Sequence, residues 1–211
     1  MTDPAHTWHD HEKVEEYVGR VNRLAARQAG EVELVEALPA RVERVLDLGC
    51  GDGKLAAVVL EARPDAAEAV GLDRSAPMLD LARQRFAQEP RARLVEHDLE
   101  QPLPDLGTFD VIVSGFAIHH LEDERKQSLL GEIAASLRPA GVFANLEVVQ
   151  CATEELQAEF YRRIGRPGGD PQDLLAEVEP QLEWMRAAGL AQVDCAWRWR
   201  GFALLVGQAR T

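Results

Sequence analysis

The sequence predicts an α/β fold in which a doubly wound sheet follows a short helical cap. Short apolar runs typical of strands alternate with longer segments that carry the apolar spacing of helices. Such alternation needs crossover connections, which make neighbouring strands parallel. Two last apolar runs, residues 191–199 and 202–206, are separated only by Arg200-Gly201 and predict an antiparallel hairpin. We therefore expect seven strands, mostly parallel, with the last hairpin antiparallel.

Five strands precede that hairpin, with helices between them. The predicted strands cover residues 44–48, 69–72, 93–96, 109–114 and 142–149. Helices are expected over residues 53–62, from Ser75 onward, 122–137, 153–164 and 174–187. Ser75 is a typical helix cap, and Pro77 suits the first turn that follows it. The Gly- and Pro-rich run 165–171 can only be a loop.

The leading segment predicts helices that cover the main domain. Apolar residues recur at the spacing of one buried helical face at Val14, Tyr17, Val18, Val21 and Leu24. A second short helix is expected over residues 31–38, before Pro39. We expect a cap over residues 1–39, a main domain over 40–211, and a helical insertion or lid over about 150–187. Lid candidates are Phe160, Tyr161, Trp184 and the loop around Gly168.

Composition excludes several classes of protein. The 211 residues carry 23 Lys and Arg against 36 Asp and Glu, a net charge of −13 that disfavours nucleic acid as a partner. Three cysteines form no disulfide framework, which favours a reducing, cytoplasmic setting. The polar residues 1–10 lack the basic and apolar regions expected of a signal peptide, and no apolar run is long enough for a bilayer, so no membrane partner is expected. The histidines near the N-terminus lack ligand spacing, and no metal site is predicted.

The turn after the first strand is the most informative stretch. It reads Asp47-x-Gly49-x-Gly51-x-Gly53, an apolar strand that ends in three alternating glycines. A dinucleotide fingerprint needs a third small residue where Lys54 stands, and a P-loop needs Ser or Thr where Leu55 follows that lysine. The exposed backbone of this turn therefore predicts a ligand other than those bound by a dinucleotide fingerprint or a P-loop.

This pattern resembles the first motif of class I S-adenosylmethionine-dependent methyltransferases, which share a Rossmann-like sheet. The resemblance continues in chain order at Asp73, at His97-Asp98-Leu99, at 114–121 and at 137–142. It implies S-adenosylmethionine as the cofactor, with Asp73 on the ribose, Asp98 near the adenine, and Arg27, backed by Tyr17 and Arg23, near the carboxylate. Asp47 would suit the cofactor's positive charges, and Cys50 would pack. The implied contacts are Arg27, Asp47, Gly49, Cys50, Gly51, Gly53, Asp73, Arg74, Met78, His97, Asp98, Leu99, Ser114, Gly115 and Phe116.

The resemblance implies methyl transfer by in-line displacement to a small-molecule acceptor. It identifies the residues that contact this acceptor less precisely than those that contact the cofactor. His119 is the candidate general base and Glu147 a second cavity candidate, with His120 expected to pack because neighbouring residues at a strand end point apart. No spacing makes these three a metal site. A protein or RNA methyltransferase, a cofactor-binding protein without catalysis, and an NAD(P)-dependent oxidoreductase remain alternatives. We expect a monomer or a homodimer.

Overall fold

The computed structural model describes residues 10–211, so the predictions for His6 and His9 lie outside the described residues. Within this range an open sheet carries helices on both faces. The helices are α1 (His11–Val21), α2 (Ala25–Ala37), α3 (Lys54–Ala62), α4 (Ala76–Arg85), α5 (Asp123–Ser136), α6 (Glu154–Arg163) and α7 (Val178–Ala187). The strands are β1 (Arg44–Leu48), β2 (Glu68–Asp73), β3 (Ala92–Glu96), β4 (Phe109–Gly115), β5 (Leu137–Val148), β6 (Ala191–Trp199) and β7 (Phe202–Gln208).

The sheet has the order β3-β2-β1-β4-β5-β7-β6, and only the pairings of β7 are antiparallel in the described chain. The predicted fold class is therefore confirmed. Chain order reverses between β1 and β4, which lie side by side. Ligands of open α/β sheets bind at such a switch point, outside the carboxyl ends of the strands.

The element boundaries differ from the sequence-based ones most at α2, which begins at Ala25 instead of residue 31, and at β5. The strand begins at Leu137, directly after α5, and continues through Arg138-Pro139-Ala140-Gly141, which had been expected to act only as a helix stop. Ala140 takes a φ of +62°, and the pairing of β4 with β5 shifts register between Phe109 and Val111. This irregularity lets one strand accommodate a proline next to its neighbour.

The helix α2 shares the core of the sheet. Its Leu34 and Leu38 are buried with Val45 of β1, Val59 of α3 and Leu204 of β7. The sequence-based division at residue 39 therefore separates segments that share one core. The preceding α1 lies against α4, where it borders the carboxyl ends of the strands.

None of the helices described is long and apolar enough to cross a membrane. The buried residues instead form clusters on the two faces of the sheet, as in other doubly wound folds.

Candidate active site

The glycine turn connects β1 to α3 through three residues with positive φ. Gly49, Gly51 and Gly53 have φ values of +66°, +54° and +76°, which favour glycine. A Cβ on Gly49 would lie 2.2 Å from the Cβ of Ala117, so the turn packs against the chain after β4. A Cβ on Gly51 would be 3.7 Å from the nearest atom, Met78 Sδ, and would project into a cavity.

Asp73, the last residue of β2, holds this turn in place. Its Oδ2 accepts a hydrogen bond from the Gly51 N–H at 2.8 Å, and its Oδ1 accepts one from the Ser75 N–H at 2.8 Å. Burial raises the pKa of Asp73, and the backbone donors at Ser75 and Gly51 oppose that rise. Since each carboxylate oxygen has a second lone pair, Asp73 can also accept from a ligand hydroxyl.

A cavity lies at these strand ends and is called the donor cavity below. Its empty volume, which includes open solvent at the mouth, is about 920 Å³. Most of the predicted cofactor contacts line it. These are Arg27, Gly49, Cys50, Gly51, Asp73, Arg74, Met78, His97, Asp98, Leu99, Gly115 and Phe116. The sequence patterns at the ends of β1 to β4 therefore converge on one space.

Three predicted contacts do not line the donor cavity. Asp47 is buried beneath the turn, where its Oδ2 accepts from the Ala56 N–H at 3.0 Å, and burial raises its pKa to about 7. Ser114 is also buried and donates its hydroxyl to the Leu48 carbonyl oxygen at 2.9 Å. Gly53 faces Phe86, whose ring would be 2.5 Å from an added Cβ. These three residues therefore support the turn from the side of the core. The prediction that the Asp47 carboxylate faces the positive charges of the cofactor is wrong, because this side chain does not reach the cavity.

Arg27 of α2 borders the donor cavity, as predicted. Its Nε donates to Glu31 Oε1 at 3.0 Å, and its guanidinium lies 4.8 Å from the ring centroid of Phe116. Lys54 Nζ also pairs with Glu31, at 2.7 Å. Arg23 lines neither cavity described here and donates to the Gly19 carbonyl oxygen on the surface.

Sequence reasoning missed two features of this cavity. Asn22 lines it from the end of α1, with Nδ2 3.4 Å from Asp52 Oδ2 and with its buried Oδ1 unpartnered. The Nε2 of His97 is likewise buried and unpartnered at the cavity wall. A buried polar atom without a partner is costly, so each of these two atoms is a candidate contact for a polar ligand of this cavity. Asn22 carries no motif, and only its contact with the turn reveals it.

A second, smaller space of about 560 Å³, open to solvent at its mouth, adjoins the first and is called the acceptor cavity. The two cavities share Tyr17, Val21, Arg27, Phe116 and His120. The remaining wall of the acceptor cavity comprises Leu24, His119, Val148, Tyr161, Ile164, Arg166, Asp170, Asp173 and Phe202. Of the lid candidates, Tyr161 lines it, and so does the loop around Gly168 through Arg166 and Asp170. Phe160 is instead fully buried against Phe202, and Trp184 packs, partly buried, against the core.

His119 lies between two carboxylates. Its Nδ1 is 2.5 Å from Glu147 Oε1, its backbone N–H donates to Glu147 Oε2 at 3.0 Å, and its Nε2 is 3.4 Å from Asp173 Oδ1. Burial alone would lower the pKa of His119, but the charge of Glu147 and the contact with Asp173 outweigh it and raise the pKa to about 9. The ring is therefore an imidazolium at neutral pH and cannot accept a proton there.

His120 does not simply pack, contrary to the sequence-based expectation. It lines both cavities, and its Nδ1 is 3.1 Å from the Gln172 carbonyl oxygen. Burial and the positive charge of His119 lower the pKa of His120 to about 4, so its ring is neutral at pH 7. Residues 118–120 form a 3₁₀ turn, which places the two imidazole centroids 4.0 Å apart instead of on opposite sides.

The loop between α6 and α7 brings Asp173 to this place. Tyr161 donates its hydroxyl to Asp173 Oδ2 at 2.6 Å, and the Leu174 N–H donates to the His119 carbonyl oxygen at 2.9 Å. Lys126 donates to the Leu174 carbonyl oxygen. The loop is thus bound to the segment after β4. No local sequence signal distinguishes Asp173 from the other loop carboxylates.

Within residues 10–211, His119, His120 and Asp173 are the group whose donor atoms lie close enough to suggest a metal, within 4.8 Å of one another. Both ring nitrogens of His119 already face carboxylate oxygens, Glu147 Oε1 at 2.5 Å and Asp173 Oδ1 at 3.4 Å. A metal ion could be bound by this ring only if it displaced one of these contacts. Cys50 is buried, and burial raises its thiol pKa well above the ordinary range, which fits a packing residue and not a nucleophile.

Comparison with known proteins agrees with this geometry. Residues 45–141 match the family described as methyltransferase domain. An uncharacterized methyltransferase of Mycobacterium tuberculosis is 38% identical over 112 residues, 53% of this chain and 54% of the relative. The demethylmenaquinone methyltransferase of Thermus thermophilus is 39% identical over 113 residues, 53% of this chain and 50% of that protein. The chain thus spans about half the length of these curated relatives.

A solved structure has the same fold over nearly the whole chain. An O-methyltransferase family protein from Burkholderia thailandensis superimposes with a TM-score of 0.76 at 20% identity, over 99% of this chain and 62% of that one. At this identity the likeness concerns the fold. Residues 45–141, which hold most of β1, the glycine turn and β2 to β4, are therefore similar to a methyltransferase domain.

Proposed function

We propose that this protein transfers a methyl group from S-adenosylmethionine to a small-molecule acceptor. The observation that carries the proposal is the pair of adjoining cavities, which share a wall that includes Phe116 and His120. A donor and an acceptor held in two such spaces meet at this wall. Proximity and orientation of this kind are the main contribution that a protein makes to methyl transfer.

The residues of the donor cavity fit S-adenosylmethionine. Asp73 has lone pairs for the ribose hydroxyls, and Arg27 is a cation for the carboxylate. The unpartnered Asn22 Oδ1 is an acceptor that suits the ammonium group, and His97 Nε2 lies beside Asp98 for the adenine edge. When bound, the cofactor supplies a methyl group on a positively charged sulfur. This sulfur can keep the electron pair of the sulfur–methyl bond when that bond breaks.

The chain's own residues orient the acceptor and hold its proton. His120 is the neutral imidazole that borders both cavities, and it is the group placed to receive a proton from an acceptor hydroxyl. His119, bound to Glu147 and facing Asp173, acts as a charged wall of the acceptor cavity. The roles of His119 and Glu147 are thus positioning roles, and the general base is His120.

The acceptor is a small molecule for two reasons. The acceptor cavity lies among side chains of α1, α6 and the loop after α6, and it is a space of small-molecule size. The net charge of −13 repels a phosphate backbone. A relative is named for the methylation of demethylmenaquinone, itself a small molecule.

Isothermal titration calorimetry tests the donor half of this function. We expect S-adenosylmethionine and S-adenosylhomocysteine to bind one per chain, and NAD to show no heat of binding. A folded protein that binds neither adenosyl compound would overturn the proposal. Binding of NAD alone would favour an oxidoreductase.

A further inference from the structure

We infer that the acceptor is an uncharged aromatic molecule with a hydroxyl group, and that the Arg166–Asp170 ion pair excludes acceptors that carry a carboxylate. This inference rests on the proposed function and names the acceptor chemistry of the same site. It depends on three features of the acceptor cavity: its aromatic walls, its paired cations and its fixed negative charge.

Aromatic and aliphatic side chains form the walls of the cavity. The rings of Phe116 and Phe202 meet edge to face, with centroids 5.0 Å apart, and Tyr161 lies on the side of α6. Leu24 and Ile164 complete the apolar lining. A flat ring gains both burial and edge-to-face contacts in such a space.

Two arginines line the cavity among the described residues, and each is already paired. Arg166 Nη2 is 2.5 Å from Asp170 Oδ2, and Arg27 Nε is 3.0 Å from Glu31 Oε1. The proposed function assigns the other N–H groups of Arg27 to the carboxylate of the donor, and both ring nitrogens of His119 face carboxylates. An entering carboxylate would therefore lose its hydration without gaining an uncommitted cation, which is costly in a half-buried site.

Asp173 adds a negative charge at the polar end of the cavity. Its Oδ1 faces His119 Nε2 at 3.4 Å, and its Oδ2 accepts from Tyr161. Burial opposes ionisation, but the contacts with His119 and Tyr161 keep the pKa of Asp173 below its ordinary value. The Asp173 carboxylate repels an anionic acceptor, whereas it can accept a hydrogen bond from a hydroxyl group.

The hydroxyl fits the reaction as well as the cavity. Its oxygen forms a bond to the methyl carbon as the sulfur–methyl bond breaks with its electron pair on sulfur. The hydroxyl proton passes to His120, the neutral imidazole at the border of the two cavities, and from there to water, because an imidazole with a pKa of about 4 does not retain a proton at neutral pH. Charge is conserved, because the positive charge that leaves the sulfur is released as this proton.

Two matched probes test the inference: 2-naphthol and 6-hydroxy-2-naphthoate, which differ by one carboxylate. Each is titrated into protein saturated with S-adenosylhomocysteine, with binding followed by calorimetry and by NMR shifts. We expect 2-naphthol to bind at least about tenfold more tightly than the carboxylate. Methyl transfer from S-adenosylmethionine, measured separately, should show the same preference.

Equal binding of the two probes, tighter binding of the carboxylate, or binding of neither would overturn the inference. Failure of S-adenosylhomocysteine to bind would instead overturn the proposed function. The two failures are distinguishable because the donor is titrated first.

Removal of the counter-charge tests the ion pair directly. Asp170→Asn keeps an oxygen for the Gln172 N–H, which Asp170 Oδ1 accepts at 3.0 Å, but leaves Arg166 uncompensated. We expect this variant to bind 6-hydroxy-2-naphthoate about as tightly as 2-naphthol. Unchanged discrimination in a folded variant would show that the pair does not exclude carboxylates.

Two further variants serve as controls. Glu159→Gln removes an ion pair with Arg163 on α6, and neither residue lines a cavity. This variant should leave the ratio of the affinities for 2-naphthol and 6-hydroxy-2-naphthoate unchanged. Arg166→Gln removes the cation itself, so the carboxylate should stay excluded. Gain of carboxylate binding in Arg166→Gln would contradict the assignment even if Asp170→Asn fails to fold.

Discussion

His119 Nε2 lies 3.4 Å from Asp173 Oδ1, a contact between the segment after β4 and the loop before α7. With Glu147 on the other ring nitrogen, this contact keeps His119 charged at neutral pH. The His-His pair thus contains one charged ring, the proposed positioning residue, and one neutral ring, the proposed base. The neutral member, His120, borders both cavities.

His120→Gln should lower the rate of methyl transfer to 2-naphthol by about 10²- to 10⁴-fold, because a glutamine cannot take the hydroxyl proton. Single-turnover kinetics measure the rate, and calorimetry with S-adenosylhomocysteine measures donor binding, which should change much less. His11→Gln, at an exposed histidine of α1, is the matched control. Full activity in His120→Gln would remove the base from our mechanism.

His119 should remain protonated until about pH 9, which an NMR titration of its Cε1 proton would measure. Because its pKa is raised above the unfolded value of 6.5, its contribution to stability is complete below that pH and is lost as the pH rises through about 9. We expect the free energy of unfolding, from urea titrations, to decline over this interval.

Glu147→Gln checks the cause of this pKa. Loss of the carboxylate should lower the pKa of His119 and weaken the decline in stability, since only Asp173 then remains to raise it. The variant should also be destabilised at neutral pH, by about 3 kcal/mol or more, because a buried charge loses its partner. An unchanged pKa would show that Glu147 does not set the charge.

Gly51→Val should abolish detectable binding of S-adenosylhomocysteine. The branched side chain would project into the donor cavity from a backbone with a φ of +54°, which a β-branched residue strongly disfavours. Gly131→Val, on α5 with no heavy atom within 4 Å of the added Cβ, is the matched control and should bind normally. Calorimetry on both variants, with melting curves to confirm folding, decides the question.

Asp73→Ala should weaken binding of S-adenosylhomocysteine by about 10- to 100-fold. The change removes the acceptor for the Gly51 N–H and the proposed partner of the ribose, and charge-assisted bonds of this kind contribute about 1.5–3 kcal/mol. Asp194→Ala, on the exposed side of β6, should leave the affinity unchanged. Normal binding by Asp73→Ala would contradict the role assigned to the end of β2.

The donor cavity could be predicted well because its parts follow strand ends in a fixed chain order. Asp73 ends β2, Gly51 and Asp98 follow the ends of β1 and β3, and parallel strands bring such ends to one edge. Asp47 and Ser114 belong to the same motifs but face into the core, because neighbouring positions of a strand point to opposite sides.

The acceptor cavity could be predicted only in part. The histidines after β4 were visible, but their 3₁₀ turn reverses the roles that a strand-like alternation had assigned to them. Asp173 and Asp170 are two carboxylates in a loop that contains no regular pattern, and nothing local separates one from the other.

By itself the sequence determined the α/β fold and the donor edge of the sheet, since apolar periodicity and strand-ending glycines are local properties of the chain. Only the tertiary structure decided which histidine is charged and which arginines are already paired. Those properties depend on distances between segments far apart in sequence, such as His119 to Asp173, and a pKa is set by the charges and burial around a group. The glycine turn thus identifies the donor site, and the folded loops determine the chemistry of the acceptor.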